Sequence, residues 1–287
     1  MKTVELMGLI GAGSVSQSLV ARMPSLHVQL GPVKSQSYAT AKRLTRTLCS
    51  GYPVTRYAEL EMCPMIWVSV PEKDLRRVIA DLAEQTPIRQ TMVVLCGTER
   101  DSRWAEPLRK RGARVATLNC IGSCKHGRFV VEGHPETVRA VRKMRSEDGH
   151  KLVQIRPAAK ALYQAGVYLI TDALRPWVAS SMDALRAAGF TRAEALAIVE
   201  TFGTESLHMY GKAGGKPWKD GRERALYAGL EDRAQALRSS HPSVAQIYSE
   251  GLRVTLDYFE KRKPAVAATS SNAAEEGRLT PPTAVNQ

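Results

Sequence analysis

The chain has 287 residues, 44% of them apolar, and a net charge of +13 from 41 lysines and arginines against 28 acidic residues. This length can bury a sizeable core, and we expect two modest domains. The composition excludes a membrane-embedded protein, because no apolar run approaches the ~18 residues that a bilayer requires. It also excludes a disulfide scaffold, because the five cysteines form an odd set with no secretory segment before them.

The first 156 residues alternate between short apolar strands and amphipathic helices. Strands are predicted at residues 4–10, 27–33, 54–57, 65–70, 91–96, 113–117, 129–132 and 151–155. Helices are predicted between them, at residues 11–23, 37–48, 74–83, 102–111 and 135–145. Such alternation is typical of an α/β protein with a doubly wound, mostly parallel sheet that carries helices on both faces.

The strand pattern stops after residue 156. Apolar residues then recur at helical spacing over residues 158–188, 192–210, 222–239 and 244–261, which predicts an all-helical domain over residues 157–263. Residues 264–287 contain almost no large apolar side chain, so we expect a disordered tail there.

A glycine-rich turn directly follows the first predicted strand and consists of Gly11, Ala12, Gly13, Ser14 and Val15. A dinucleotide-binding fingerprint requires this position between a strand and a helix. Gly11 permits the tight turn, Gly13 lets the backbone approach a pyrophosphate, and the free N–H groups from Ser14 onward direct their dipole at that anion. The third small position holds Ser16 instead of glycine, so a Rossmann-type fold without a bound nucleotide stays an alternative.

The residues about 20 positions beyond the glycines distinguish NAD from NADP. NAD sites place a carboxylate there, whereas this chain has Lys34, Ser35 and Gln36. A cation and hydroxyl groups suit a 2′-phosphate, so the sequence favours NADP over NAD, with a solvated turn as the other interpretation. Val70 and Pro71 end the most apolar strand, and we expect their backbone to line the same site.

Seven segments resemble, in this order, the Rossmann-like proteins with a C-terminal domain of unknown function 2520. They are IGAGSVSQSL, VSVPE, PLRKRGARVATLN, FVVEG, KALYQAGVYLITD, GKAGGKPWKDG and HPSVAQIY, and the resemblance covers about residues 5–260. The wider group contains ketopantoate reductase, pyrroline-5-carboxylate reductase and 6-phosphogluconate dehydrogenase. The resemblance implies an NAD(P)-type fold with a helical domain that closes a cleft and often dimerises, and it leaves the activity open.

The resemblance also indicates candidate catalytic residues. In related 3-hydroxyacid dehydrogenases a helix lysine polarises the reacting group, which makes Lys160 the first candidate for a proton donor, Tyr163 the second, and Asn119 the residue that orients substrate. An interdomain salt bridge with core packing is the alternative for Lys160. Family members often have histidine where this chain has Asn119 and Gln164, and an amide cannot exchange a proton near neutral pH.

Two other segments invite functional interpretations. Cys120, Cys124 and His126 lie close together, but they lack a fourth ligand, so we predict no metal site and expect Cys120 to pack as a small apolar side chain. The basic, glycine-rich residues 211–221 form either a mobile lid over substrate or an ordinary interhelical loop.

These observations favour a cytoplasmic NADP-dependent oxidoreductase that moves a hydride to or from a small carbonyl, imine or hydroxyacid between its domains. We expect a homodimer through the helical domain. The scattered positive charge carries no nucleic-acid motif, so DNA and RNA are not predicted partners. The alternative is a catalytically degenerate nucleotide sensor or partner subunit, favoured by Ser16, Asn119 and Gln164.

Overall fold

The computed structural model describes residues 5–122, 128–149, 151–156, 158–213 and 230–260. Contacts divide the chain into two compact units, residues 1–168 and 169–287. This division falls later than the predicted boundary at residue 156, because the helix that begins at Lys160 contacts the sheet of the first unit. The predicted tail, and the predicted lid beyond residue 213, lie outside the described residues.

The first unit is built on one eight-stranded sheet. Its strands are β1 (Met7–Ile10), β2 (Leu30–Lys34), β3 (Tyr52–Val54), β4 (Met65–Val68), β5 (Met92–Cys96), β6 (Arg114–Cys120), β7 (Arg128–Gly133) and β8 (Lys151–Gln154). Their order is β3-β2-β1-β4-β5-β6-β7-β8, with every neighbouring pair parallel except β6 and β7. The predicted doubly wound, mostly parallel sheet is confirmed. The chain reverses direction across the sheet between β1 and β4, which is where such folds bind ligands.

Helices cover this sheet and bury two separate clusters of apolar side chains. These helices are α1 (Ser14–Ala21), α2 (Pro24–Gln29), α3 (Tyr38–Leu48), α4 (Glu72–Gln85), α5 (Glu106–Lys110) and α6 (Pro135–Glu147). A further helix, α7 (Lys160–Ile170), contributes only the buried side chain of Lys160. Successive strand residues alternate between the clusters: Leu9 and Val94 belong to one, Ile10 and Val93 to the other. The central strands therefore bury both faces, which explains their continuous apolar sequence.

Proline accounts for two differences between the predicted and observed elements. The strand predicted from residue 27 is wrong in its first part, because Pro24 begins α2 and β2 follows only after that helix. The single helix predicted over residues 102–111 is also wrong: a 3-10 turn, Ser102–Trp104, precedes α5. Pro107 lies in the first turn of α5, where its missing amide hydrogen is tolerated, but inside a continuous helix it would break the backbone hydrogen bonds.

The second unit is helical in its described part, as predicted, and consists of α8 (Arg175–Ala187), α9 (Arg192–Ala213), α10 (Leu230–Ser240) and α11 (Pro242–Glu260). α8 packs closely against α11, since a Cβ added at Gly251 would lie 2.2 Å from the Trp177 ring. α9 instead leaves large apolar side chains exposed, among them Phe202 and Leu207 at 64% and 74%. Within the described ranges, every helix is too short or too polar to span a bilayer.

Candidate functional site

The glycine turn joins β1 to α1 at the point where the strand order reverses. Gly11 has a φ of +107°, in the left-handed region that favours glycine, and a Cβ there would lie 1.9 Å from the carbonyl oxygen of Ser69. A Cβ added at Gly13 would meet nothing within 4 Å. Gly11 is therefore required by the packing of the turn, whereas Gly13 leaves open space in front of the helix.

The first turn of α1 keeps its backbone donors available. Gly13 occupies the N-cap position and, among the described residues, no side chain accepts a hydrogen bond from the first-turn amides there. These N–H groups and the helix dipole form an environment that favours an anion. Ser16 is fully buried, and its hydroxyl donates to the carbonyl oxygen of Ser69 at 3.2 Å. This bond shows how a serine is accommodated at the third fingerprint position.

A cavity of about 840 Å³ lies at the carboxyl ends of β1, β2, β4 and β5. Its lining includes every residue that the sequence predicts to bind the cofactor, namely Gly11, Ala12, Gly13, Ser14, Val15, Lys34, Ser35, Gln36, Val70 and Pro71. Further lining residues on the neighbouring elements were not predicted from the sequence, among them Thr40, Arg43, Tyr57, Arg77 and Asp81. Thr40 and Arg43 lie one turn apart on the helix after β2, and this spacing is the signal that would have indicated them.

Two cations face this cavity where β2 ends. Lys34 Nζ donates to the carbonyl oxygen of Ser35 at 2.7 Å and lies 5.0 Å from the centre of the Tyr57 ring. Arg43 lines the cavity from α3 and, in the part of the chain that the structure describes, has no carboxylate within ion-pair distance. Arg77, in contrast, pairs with Asp74 at 3.4 Å. Lys34 and Arg43 are thus the lining cations that remain available to an anionic ligand.

The three predicted catalytic residues lie outside the lining of this cavity. Asn119 is near the end of β6, and Lys160 and Tyr163 belong to the first turn of α7. Lys160 is only 2% exposed, and its ammonium donates to Thr117 Oγ1 at 2.9 Å and to Asn119 Oδ1. The Asn119 amide nitrogen donates to the carbonyl oxygen of Thr98 at 2.9 Å, which turns its oxygen toward Lys160. The structure therefore brings Lys160 and Asn119 into direct contact.

The surroundings of Lys160 alter its acidity. Burial lowers the pKa of this lysine to about 8, although nearby acidic groups, Glu132 first among them, act in the opposite direction. Tyr163 is half-buried, and burial raises the pKa of its phenol, with a smaller contribution from the Cys120 thiol. Lys160 is therefore the predicted catalytic side chain that exchanges a proton closest to neutral pH.

The predicted cysteine cluster is only partly described. Cys120 is half-buried and packs against one apolar cluster of the sheet, as expected for a small apolar side chain. Cys124 and His126 lie outside the described residues. The residues that the structure does describe contain no group of three or more His, Cys, Asp or Glu side chains able to hold a metal ion.

Solved structures with the same fold include several reductases. A provisionally named NADP oxidoreductase of Bacteroides fragilis matches with a TM-score of 0.67 at 12% identity, over 89% of this chain and 98% of that one. A reductive aminase of Aspergillus terreus, in complex with NADPH and ethyl levulinate, matches with a TM-score of 0.65 at 13% identity, over 89% and 95% of the two chains. A pyrroline-5-carboxylate reductase of Coxiella burnetii gives 0.57 at 9% identity, over 90% and 98%.

These matches establish the fold as Rossmann-like, and at such low identity they establish the fold alone. No family model matches the sequence, and no curated protein matches it at the level of sequence.

Proposed function

We propose that the chain is a cytoplasmic NADP-dependent oxidoreductase that transfers a hydride to or from a small carbonyl, imine or hydroxyacid. The observation that carries this proposal is the cavity at the switch point of the sheet, which combines the glycine turn, the uncapped start of α1 and the cations at the end of β2. Proteins of the same fold have been solved with NADPH bound, including the reductive aminase of Aspergillus terreus. The free thiols of Cys49, Cys63, Cys96 and Cys120 suit a reducing compartment.

The groups lining the cavity fit a dinucleotide. Gly13 and the first-turn amides of α1 would hold the pyrophosphate, because both offer backbone donors without an intervening side chain. Lys34, Ser35 and Arg43 would hold the 2′-phosphate. The bound nicotinamide supplies or accepts the hydride.

The role we propose for Lys160 is proton transfer to the oxygen or nitrogen of the reacting group. Its ammonium donates a proton when the substrate is reduced, and the neutral amine accepts one in the opposite direction. Asn119, held by Thr98, would orient substrate at the same place, and Tyr163 is the second candidate for the donor.

Replacing Arg43 with alanine is expected to weaken NADPH binding by about tenfold to a hundredfold, because hydrogen bonds to charged groups contribute about 1.5–3 kcal/mol. NADH lacks the 2′-phosphate, so its affinity should change little. Arg46→Ala is the matched control, because Arg46 is exposed on the same helix and lies outside the cavity lining. Nicotinamide fluorescence titrations measure both affinities, and an equal loss for the two nucleotides would contradict the phosphate assignment.

A second candidate function is a nucleotide sensor or partner subunit without turnover. It is favoured by the burial of Lys160, whose ammonium is bonded to Thr117 and Asn119. A screen of ketones, ketone and amine mixtures, and hydroxyacids for substrate-dependent NADPH or NADP turnover separates the two functions. Turnover supports the enzyme, whereas nucleotide binding without turnover of any of these classes supports the sensor.

We further propose that the helical unit joins two copies of the chain. The support is a series of apolar side chains on α9 that are 46% to 74% exposed: Leu196, Phe202, Leu207, Met209 and Tyr210. Exposed apolar surface in soluble proteins often marks a site of interaction with another protein. α9 presents these residues on several sides of the helix, and among its described side chains only Ala195 is buried, which suits packing against the same helix of a second copy.

Replacing both Phe202 and Leu207 with aspartate is expected to convert a homodimer into a monomer, because two charges would be buried in the interface. Sedimentation equilibrium measures the mass of the variant. Glu205→Ala, on the same helix and also exposed, is the matched control and should leave the mass unchanged. A wild-type chain that sediments as a monomer at all accessible concentrations would contradict the proposal.

A further inference from the structure

Glu132 is a buried carboxylate on β7, within the FVVEG segment, and it is only 2% exposed. Its Oε1 accepts hydrogen bonds from the Ser102 amide at 2.7 Å and from the Thr117 hydroxyl at 2.8 Å. Its Oε2 accepts from the Ser102 hydroxyl at 2.9 Å. All three partners are donors, so the site accommodates an anion inside the protein.

Thr117 connects this carboxylate to Lys160. It is fully buried on β6 and lies directly opposite Glu132 in the antiparallel pairing of β6 with β7. A hydroxyl has one proton, which Thr117 gives to Glu132, so Thr117 accepts from the Lys160 ammonium at 2.9 Å. Lys160 therefore donates to Thr117, and Thr117 donates to Glu132. The ammonium nitrogen and the carboxylate oxygen are separated by no more than the sum of these two hydrogen-bond distances.

We propose that Glu132 is a positioning residue for Lys160: through the Thr117 hydroxyl, its carboxylate holds the ammonium in its charged form beside Asn119 at the carboxyl end of β6. The inference rests on the function proposed above for Lys160. A buried lysine without a counter-charge loses its proton, and a neutral amine has no acidic proton to donate to a substrate. Glu132 supplies that counter-charge through Thr117, while the Asn119 side-chain oxygen accepts the other hydrogen bond of the ammonium.

Among the described residues, titratable groups on different elements act electrostatically on Lys160: Glu132 on β7, Asp101 before the 3-10 turn, Cys96 at the end of β5 and Glu72 on α4. Burial is the largest influence and lowers the pKa of Lys160 to about 8, while each of these groups raises it, Glu132 most strongly. Glu72 and Asp101 are themselves paired with arginines, at 3.2 Å and 2.6 Å, which offset their charges. The hydrogen-bond donors to Glu132 are neutral hydroxyl and amide groups, so its negative charge is offset less than the charges of Glu72 and Asp101.

NMR of the lysine side chains tests the proposal on the intact protein. The ¹⁵Nζ and ¹³Cε shifts of Lys160 are followed against pH, with the signal assigned by its loss in Lys160→Arg. We expect Glu132→Gln to lower the midpoint by about one to three pH units, because a neutral amide no longer stabilises the ammonium. Glu136→Gln removes a partly exposed carboxylate that pairs with Arg114 on the surface, and it should leave the midpoint in place. An unchanged midpoint in Glu132→Gln would overturn the proposal.

A second pair of variants decides the question if Glu132→Gln fails to fold. Thr117→Val keeps the side-chain shape but removes the hydroxyl between the two charges, and it should also lower the midpoint. Thr137→Val removes a buried hydroxyl that donates to the Arg114 carbonyl at 2.8 Å, and it should leave the midpoint unchanged. A Thr117→Val midpoint equal to that of the wild type would then overturn the link.

The titration needs neither substrate nor nucleotide, so it fails or succeeds independently of the enzymatic proposal. Suppose that the midpoint is lower in Glu132→Gln but the wild type turns over no substrate. The effect of Glu132 on Lys160 is then confirmed, and the proton-donor role of Lys160 is contradicted. If the wild type reduces a substrate, its kcat should decline as pH rises through the Lys160 midpoint. That decline should move to lower pH in Glu132→Gln, while the KM for NADPH stays the same.

Discussion

Replacing Gly11 with alanine is expected to lower the melting temperature sharply and to abolish NADPH binding. The new Cβ would lie 1.9 Å from the Ser69 carbonyl oxygen, a backbone atom that cannot move without separating β1 from β4. The left-handed conformation of Gly11 alone adds about 1–3 kcal/mol of strain for a residue with a side chain. Circular dichroism on heating measures the stability, and an unchanged melting temperature would contradict this structure of the turn.

Gly13→Ala is the matched control for this prediction. Gly13 has a φ of −84°, and a Cβ there would meet nothing within 4 Å, so the fold should be retained. The same Cβ would occupy the open space in front of α1, so we expect NADPH affinity to fall about tenfold, a loss of about 1.4 kcal/mol. Full NADPH affinity in Gly13→Ala would show that the pyrophosphate binds elsewhere.

Lys160→Met is expected to destabilise the protein by about 3–5 kcal/mol, the usual cost of removing one partner from a buried charge pair. Glu132 would keep its bonds to Ser102 and Thr117 but would lose the nearby ammonium. Turnover should fall by about 10²–10⁴-fold if Lys160 is the proton donor. The NADPH affinity should change little, because Lys160 is not part of the cavity lining. Urea unfolding, steady-state kinetics and nucleotide titration measure the three effects.

The double variant Lys160→Met with Glu132→Gln separates the structural effect from the chemical one. Stability should recover relative to Lys160→Met, since the second change removes the buried charge that the first leaves uncompensated. Turnover should not recover, because no proton donor is restored. Additive losses of stability would show that the two residues are not coupled, and recovered turnover would show that Lys160 does not donate the proton.

The sheet was predictable because its central strands bury both faces. The segments around Ile66, Trp67, Val93 and Val94 are therefore continuous apolar sequences, and their length is that of a β-strand. The limits of the elements were less accurate where proline was involved. Pro24 begins a helix that apolar periodicity does not reveal, and Pro107 lies in the first turn of a helix that starts later than predicted.

The candidate site was predictable only where it depends on local sequence. The turn from Gly11 to Val15 and the segment from Lys34 to Gln36 follow directly after strands, so their place at the sheet edge follows from the fold. Glu132 and Lys160 are linked through Thr117 only because β7 runs antiparallel to β6 in one particular register. The sequence predicts a mostly parallel sheet but gives no indication of which strand reverses, so this contact required the structure.

Titration of the purified chain with NADPH, followed by nicotinamide fluorescence, tests most directly whether the cavity at the ends of β1 and β2 is a nucleotide site. We predict saturable binding of one NADPH per chain. NADH should bind more weakly, because it lacks the 2′-phosphate that Lys34 and Arg43 would hold. Absence of saturable binding for both nucleotides would contradict the cofactor assignment and the enzymatic function that depends on it.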